Sequence, residues 1–93
     1  MVRRVLQRHL NELRFCYERE LASRPSLTGT VREQLVVAAD GSVRSSTIAS
    51  SSLGVPSVDA CIRAAAERWT FPAPEGGAVV VTCPITLSPS SAP

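Results

Sequence analysis

The dipeptide Asp40-Gly41 constrains the fold of this chain more than any other feature of its sequence. It separates a strand-like segment, residues 30–39, from residues 43–51, which are rich in serine and have a weaker strand propensity. Asp-Gly is a strong signal for the tight turn of a β-hairpin, so we interpret the second segment as the return strand. The apolar residues of the first segment share one face of a strand: Val31, Leu35 and Val37. Glu33 shares that face as well, and we expect its carboxylate to lie at the wet rim. The sequence therefore predicts an antiparallel hairpin with one apolar face.

Two helices are predicted, one before the hairpin and one after it. From Val2 to about Ala22, apolar residues recur at steps of three and four, which is typical of an amphipathic helix. Pro56 to Trp69 has the same periodicity, and we expect Ile62 and Trp69 to face the core. The run Phe71-Pro72-Ala73-Pro74 ends this second helix, and the most apolar segment of the chain, Ala78 to Leu87, then forms a third strand.

The order of elements is helix, strand, strand, helix, strand, and it predicts an α+β fold. The second helix returns the chain, so the third strand runs antiparallel to the first and the sheet order is 2-1-3. Both helices must cover one face, because only one face of the sheet is consistently apolar. With 93 residues, the chain is expected to form one domain over residues 1–88, followed by a disordered tail at 89–93.

The residue types argue against catalysis, cofactors and nucleic acid. His9 is the only histidine, and we interpret it as a surface or boundary residue, since no partner for a catalytic dyad is apparent. No phosphate-binding loop, metal-ligand spacing or paired carboxylates appear, so we expect no metal, no cofactor and no small-molecule substrate. The net charge is only +2, and acidic residues interleave with the arginines of the first helix, which is typical of a solvated helix face.

The three cysteines leave two interpretations open. Cys16, Cys61 and Cys83 are either three buried thiols of a cytosolic domain or one disulfide and one core thiol. A bridge between Cys16 and Cys61 is geometrically reasonable, because the two predicted helices lie on the same face of the sheet. We favour the bridge, which would place the domain in an oxidising compartment.

The last strand carries the functional prediction. Its alternate residues Val79, Val81, Cys83, Ile85 and Leu87 are expected to face the core and to direct their backbone groups to the first strand. The other alternate set is expected to point its backbone groups away from the sheet: Val80, Thr82, Pro84 and Thr86. Pro84 has no N–H, and proline is tolerated on a strand with an unpaired edge. Such an edge either docks a further strand or is protected by Pro84 itself; we favour docking, since only one outward donor is lost.

An ordered set of motifs resembles the C-terminal domain of TonB. These motifs are Gly29-Thr30-Val31, the run from Leu35 to Gly41, the helix end at Ala65, Arg68, Trp69, Phe71 and Pro72, and the final apolar strand. The run Phe15-Cys16-Tyr17-Glu18, together with Cys61 and the proline-rich run, is similar to the AgmX/PglI-type subfamily of myxobacterial gliding-motility envelope proteins. In that subfamily an aromatic residue often precedes the proline of the last strand, a position that Cys83 occupies here.

The resemblance implies a periplasmic, non-catalytic domain at the end of an inner-membrane-anchored protein. Such a domain would pair its last strand with a segment of an outer-membrane or periplasmic partner and help to transmit force. Residues 1–11 predict a basic helix rather than a signal peptide, so the membrane anchor is expected upstream. Two rival hypotheses are a homodimer formed through the same edge and a redox enzyme that uses Cys83.

Overall fold

The computed structural model describes residues 2–89, and residues 90–93 of the predicted tail lie outside the described residues. The elements within this range are α1 (Val2–Arg8), α2 (Leu10–Leu21), β1 (Gly29–Val37), β2 (Val43–Ser51), α3 (Pro56–Ala66) and β3 (Val79–Leu87). The observed order confirms the predicted α+β arrangement, with one difference: the first helix is divided into α1 and α2. No helix within residues 2–89 has both the length and the apolar character needed to cross a membrane.

The sheet has the predicted order β2-β1-β3, and both pairings are antiparallel. The hairpin turn needs Gly41, which has φ +93° and whose carbonyl accepts a hydrogen bond from the Phe71 N–H at 2.8 Å. A Cβ at this position would lie 2.0 Å from the Phe71 carbonyl oxygen. Gly41 therefore permits both the turn and the close passage of the segment that follows α3.

The core lies between one face of the sheet and the helices. We call this the helix-side face, and the opposite face the open face. The fully buried residues of β1 are the alternate ones on the helix-side face: Val31, Glu33, Leu35 and Val37. The helices contribute Val5, Tyr17, Val58 and Ile62, among others, and Trp69 is the largest side chain of the core, 1% exposed. Burying an aromatic residue of this size supplies a large share of the apolar stabilisation available to so short a chain.

The predicted first helix is interrupted at His9. The His9 carbonyl accepts the N–H groups of Glu12 and Leu13, at 3.1 and 3.2 Å, as the first bonds of α2. Its ring stacks on Trp69, with 4.8 Å between the ring centroids. The break allows α1 to bury Val5. It leaves Leu10, one of the apolar residues at helical spacing in the predicted first helix, 46% exposed. His9 is therefore a packing residue at a helix junction rather than a residue of a continuous helix.

The α3 helix ends at Ala66, three residues earlier than predicted. Trp69 is held by a tighter turn, in which the N–H groups of Arg68 and Trp69 bond to the carbonyls three residues before them, both at 3.1 Å. This tightening is common at the C-termini of helices. It keeps Trp69 buried although the residue lies outside the helix.

The predicted exposure of Glu33 and the predicted burial of Val79 are wrong, and the predicted burial of Val81 holds only in part. Glu33, expected at a wet rim, is 0% exposed. Val79, expected in the core, is 38% exposed, and Val81 is only partly buried. The helices cover the second half of β3, where Cys83, Ile85 and Leu87 are buried, and leave its first residues uncovered. The alternation of the strand was predicted correctly, but the extent of the helix layer was not.

Candidate strand-docking edge

β3 is an outer strand of the sheet and pairs with β1 without interruption. The register runs from Gly29 opposite Leu87 to Val37 opposite Val79, with nine consecutive pairs and no bulge. A regular strand presents outward N–H and C=O groups at every second residue, which is the geometry that a further strand requires.

The direction of the β3 backbone follows from contacts on the other side of β1. The Thr30 carbonyl accepts a hydrogen bond from the Ser52 N–H at 3.1 Å, and the Gln34 carbonyl accepts one from the Thr47 hydroxyl at 3.4 Å. The even-numbered residues of β1 therefore face β2. Because backbone directions alternate along a strand, the odd-numbered residues of β1 face β3.

The odd-numbered residues of β3 are the register partners of those β1 residues, so their backbone groups face β1. The remaining residues direct their backbone groups away from the sheet, and we call this set the β3 edge: Val80, Thr82, Pro84 and Thr86. All four side chains are exposed, Val80 to 63%. Three of the four have an N–H. Among the described residues, none outside the sheet makes a hydrogen bond to these three N–H groups.

A groove adjoins the start of this edge. It has a volume of about 540 Å³, and its walls come from two segments: residues 71–75, which follow α3, and residues 79–81 of β3, with Val37 as a further contact. A second, more open groove of about 820 Å³ lies between α2 and α3. Phe15 is 61% exposed beside it, and the Arg19 guanidinium lies 5.3 Å from the centre of the Phe15 ring. The sequence patterns did not point to either groove.

The two helices that border the second groove are joined covalently. A disulfide links Cys16 to Cys61, with 5.6 Å between their Cα atoms, and Cys83 is a free, buried thiol. The sequence left two interpretations open, three buried thiols or one disulfide with one core thiol, and the structure has the second.

Cys83 has the environment of a core thiol rather than that of a redox nucleophile. Burial, and to a smaller degree the charge of Glu33, raise the pKa of the Cys83 thiol to about 11. Reactive thiols require the opposite shift, because the thiolate is the nucleophile. The rival hypothesis of a redox enzyme centred on Cys83 therefore finds no support in this site.

Beside Cys83, the buried Glu33 carboxyl has one hydrogen-bonding neighbour. The Ser46 hydroxyl lies 2.6 Å from Glu33 Oε2 and 3.0 Å from the Arg63 carbonyl oxygen, while Glu33 Oε1 has no hydrogen-bond partner. Burial raises the pKa of Glu33 to about 7, although the hydrogen bond to Ser46 and the positive charge of Arg63 both act to lower it.

The single hydrogen of the Ser46 hydroxyl cannot serve both oxygen neighbours. A protonated Glu33 resolves this, since it can donate to Ser46 while Ser46 donates to the Arg63 carbonyl. In this form the carboxyl links β1 through β2 to α3 without a buried charge.

His9, Glu12 and Trp69 form a second polar cluster, which the sequence patterns did not predict. Glu12 accepts hydrogen bonds from the indole N–H of Trp69, at 3.3 Å, and from the His9 ring. Burial opposes ionisation of Glu12, but the bonds to His9 and Trp69 outweigh it, so the pKa of Glu12 is lowered. The cluster caps the Trp69 indole, and its contacts are those of a structural element. Within residues 2–89, no group of three or more His, Cys, Asp or Glu side chains is arranged to hold a metal ion.

Comparison with known proteins gives one informative similarity. The chain is 36% identical over 88 residues to the tyrosine-protein kinase MasK of Myxococcus xanthus (strain DK1622). The aligned region covers 91% of this chain and 13% of that protein. No family model matches the chain, and no solved structure matches it. The chain is thus similar to a small part of a much longer myxobacterial protein.

Proposed function

We propose that this chain is a non-catalytic protein-binding module that docks an extended segment of a partner beside β3. The single observation that supports this proposal most strongly is the β3 edge, with its uninterrupted register and its three outward N–H groups. Strand addition of this kind takes its affinity from main-chain hydrogen bonds and its selectivity from side chains of alternating residues.

The energetics of such docking favour reversible binding. Each main-chain hydrogen bond contributes about 0.5–1.5 kcal/mol net, and the β3 edge offers three donors and the carbonyl of Pro84 among its acceptors. The interface is also small, so we expect micromolar or weaker dissociation constants. Reversible attachment suits a link that is repeatedly made and released.

We propose that the module works in the periplasm of a cell envelope of the myxobacterial type. The Cys16–Cys61 disulfide supports an oxidising compartment. On the resemblance to TonB C-terminal domains and to the AgmX/PglI-type subfamily, we further propose an inner-membrane anchor outside this chain and a partner in the outer membrane or periplasm. The module would then transmit force in gliding motility or energy transduction.

The similarity to a protein named as a tyrosine kinase does not lead us to propose kinase activity. The aligned region is 13% of that protein, and we propose that it corresponds to an appended binding module rather than to a catalytic domain. This chain lacks the glycine-rich phosphate-binding motif that phosphoryl transfer uses.

A selection experiment tests the proposed docking. A displayed library of nine-residue peptides is selected on the oxidised protein, and the dissociation constants of the enriched peptides are measured for three forms: wild type, Thr82→Pro and Phe15→Ala. Thr82→Pro removes one outward N–H, so we expect binding about tenfold weaker or lost. Phe15→Ala alters the exposed surface of α2 and should leave binding unchanged.

Weaker binding by Phe15→Ala together with unchanged binding by Thr82→Pro would place the binding surface on α2 and overturn docking at β3. Sedimentation of the unliganded protein tests the homodimer alternative. A mass that doubles with concentration and is restored to that of a monomer by Thr82→Pro would show that the β3 edge serves self-association.

A further inference from the structure

The groove at the start of β3 lies where one side chain of a docked strand would enter it. Its walls are apolar: Phe71, Pro72 and Pro74 on one side, and Val79 and Val81 of β3 on the other. Phe71 is buried, whereas Val79 is 38% exposed because the helices leave this part of β3 uncovered. The groove is therefore open at the same side of the sheet as the β3 edge.

Strand geometry selects the residue that would fill the groove. Directly opposed residues of neighbouring strands place their side chains on the same face of the sheet. Val81 lies on the helix-side face, so the partner residue opposite Val81 also points to that face. The outward N–H groups of Val80 and Thr82 flank this position, and hydrogen bonds on both sides would fix the partner residue there.

The chemistry of the groove selects the kind of side chain. Two proline rings, an aromatic ring and aliphatic side chains make up its walls, and a volume of about 540 Å³ accommodates a large ring. The charged residue among its lining side chains is Glu75, which is exposed at the rim and disfavours an acidic guest. Flat aromatic side chains bury the most apolar area for the least loss of conformational entropy.

We infer that the partner segment carries an aromatic side chain opposite Val81, and that this side chain occupies the groove between residues 71–74 and the start of β3. This inference rests on the proposed docking at the β3 edge and specifies which partners that edge accepts. It assigns the proline-rich run after α3 a role as a wall of the binding site, in addition to its role as a helix stop.

The test supplies the strand within the same molecule. A short Gly-Asn-Gly linker and a nine-residue threonine strand are appended after Pro93, so that the strand can fold back on β3 at a high effective concentration. Tryptophan replaces each threonine in turn. Hydrogen exchange of the Val80, Thr82 and Thr86 amides, measured by NMR, reports whether the strand adds, and contacts of the guest ring to Val81 identify its position.

We expect the tryptophan opposite Val81 to slow exchange of the Thr82 amide about tenfold relative to tryptophan at the next position, which lies on the open face. Ala73→Glu places a charge in the groove and should remove this gain. Ala60→Glu, on the exposed side of α3, is the matched control and should leave the gain unchanged. Both alanines are exposed, so neither substitution disturbs the core.

The outcomes separate the two claims. If the strand protects the outward amides equally with every guest, docking at β3 stands and the aromatic groove is overturned. If tryptophan opposite Val81 still slows exchange of the Thr82 amide in the Ala73→Glu variant, the slower exchange does not come from the groove. The aromatic groove is then overturned as well. If no guest protects the outward amides, the docking proposal itself fails, and the inference fails with it.

Discussion

The two edges of the sheet differ in regularity and in their connection to the helices. β2 pairs with β1 through two register shifts, one between Arg32 and Glu33 and one between Val36 and Val37, whereas β3 pairs with β1 without a shift. The Ser51 hydroxyl of β2 donates to Asp59 of α3 at 2.9 Å, and Ser46 contacts the end of the same helix. Bulges and side-chain ties of this kind discourage edge pairing. One sheet thus has an irregular edge tied to a helix and a regular edge with outward backbone groups.

The largest expected effect comes from a pair of proline substitutions that separates the two sides of β3. Val81→Pro removes an N–H directed to β1 and should cost at least about 3 kcal/mol of unfolding free energy, enough to unfold a domain of this size. Thr82→Pro removes an outward N–H and should cost less than about 1 kcal/mol. Urea unfolding followed by circular dichroism measures both. If Thr82→Pro were destabilised and Val81→Pro were stable, the outward and inward backbone groups of β3 would be the reverse of those assigned.

Removing the disulfide tests the helix layer rather than the edges. The double variant Cys16→Ser/Cys61→Ser opens a link across a sequence separation of 45. The chain-entropy relation then gives a loss of up to about 4 kcal/mol of unfolding free energy. Mass spectrometry of the oxidised wild type should find Cys16 linked to Cys61 and Cys83 free. A loss below about 1 kcal/mol would show that packing alone holds α2 and α3 together.

A smaller effect concerns Glu33, the buried carboxyl that joins the β2 side of the sheet to α3. Its pKa is about 7 in the folded protein against an ordinary value of 4.5. Between these values the folded state holds more protons than the unfolded state, so the unfolding free energy falls as the pH rises. The unfolding free energy begins to fall near the ordinary pKa of the carboxyl. It keeps falling until the pH has passed the pKa of the folded state, and it stays low at higher pH.

Glu33→Gln isolates this contribution, because glutamine keeps the shape without the titratable proton. The stability of the variant relative to wild type should increase by about 2 kcal/mol between pH 5 and pH 8. Urea unfolding at both pH values measures it, and Glu12 and Asp40, whose pKa values are lowered, affect both proteins alike. A relative stability that does not change with pH would mean that Glu33 does not titrate in this range.

The sequence was sufficient to predict the arrangement of the sheet because its determinants are local. Asp40-Gly41 specifies the hairpin, and two-residue alternation in β3 places Val81 and Ile85 on one face and Thr82 and Pro84 on the other. The final apolar segment and the helix before it leave few alternatives to the order 2-1-3. These features depend on backbone geometry, which a short sequence window encodes.

The features that the sequence did not predict depend on contacts between distant segments. Alternation placed Glu33 on the core face, but its full burial depends on Ser46 and on protonation, neither of which a pattern within β1 reveals. The break at His9 depends on stacking against Trp69, sixty residues away along the chain. The groove beside Val79 exists because the helices cover only part of β3, and periodicity does not specify where a helix layer ends.

The most direct test of the β3 edge is amide hydrogen exchange along β3 in the oxidised protein, without a ligand and with a selected peptide. Without the peptide, the Val80, Thr82 and Thr86 amides should exchange on the order of a hundredfold faster than those of Val81, Cys83 and Ile85, since only the second group bonds to β1. Added peptide should slow exchange of the first group and leave the second unchanged. Equal protection of both groups in the free protein, or fast exchange of the first group in the presence of bound peptide, would contradict docking at the β3 edge.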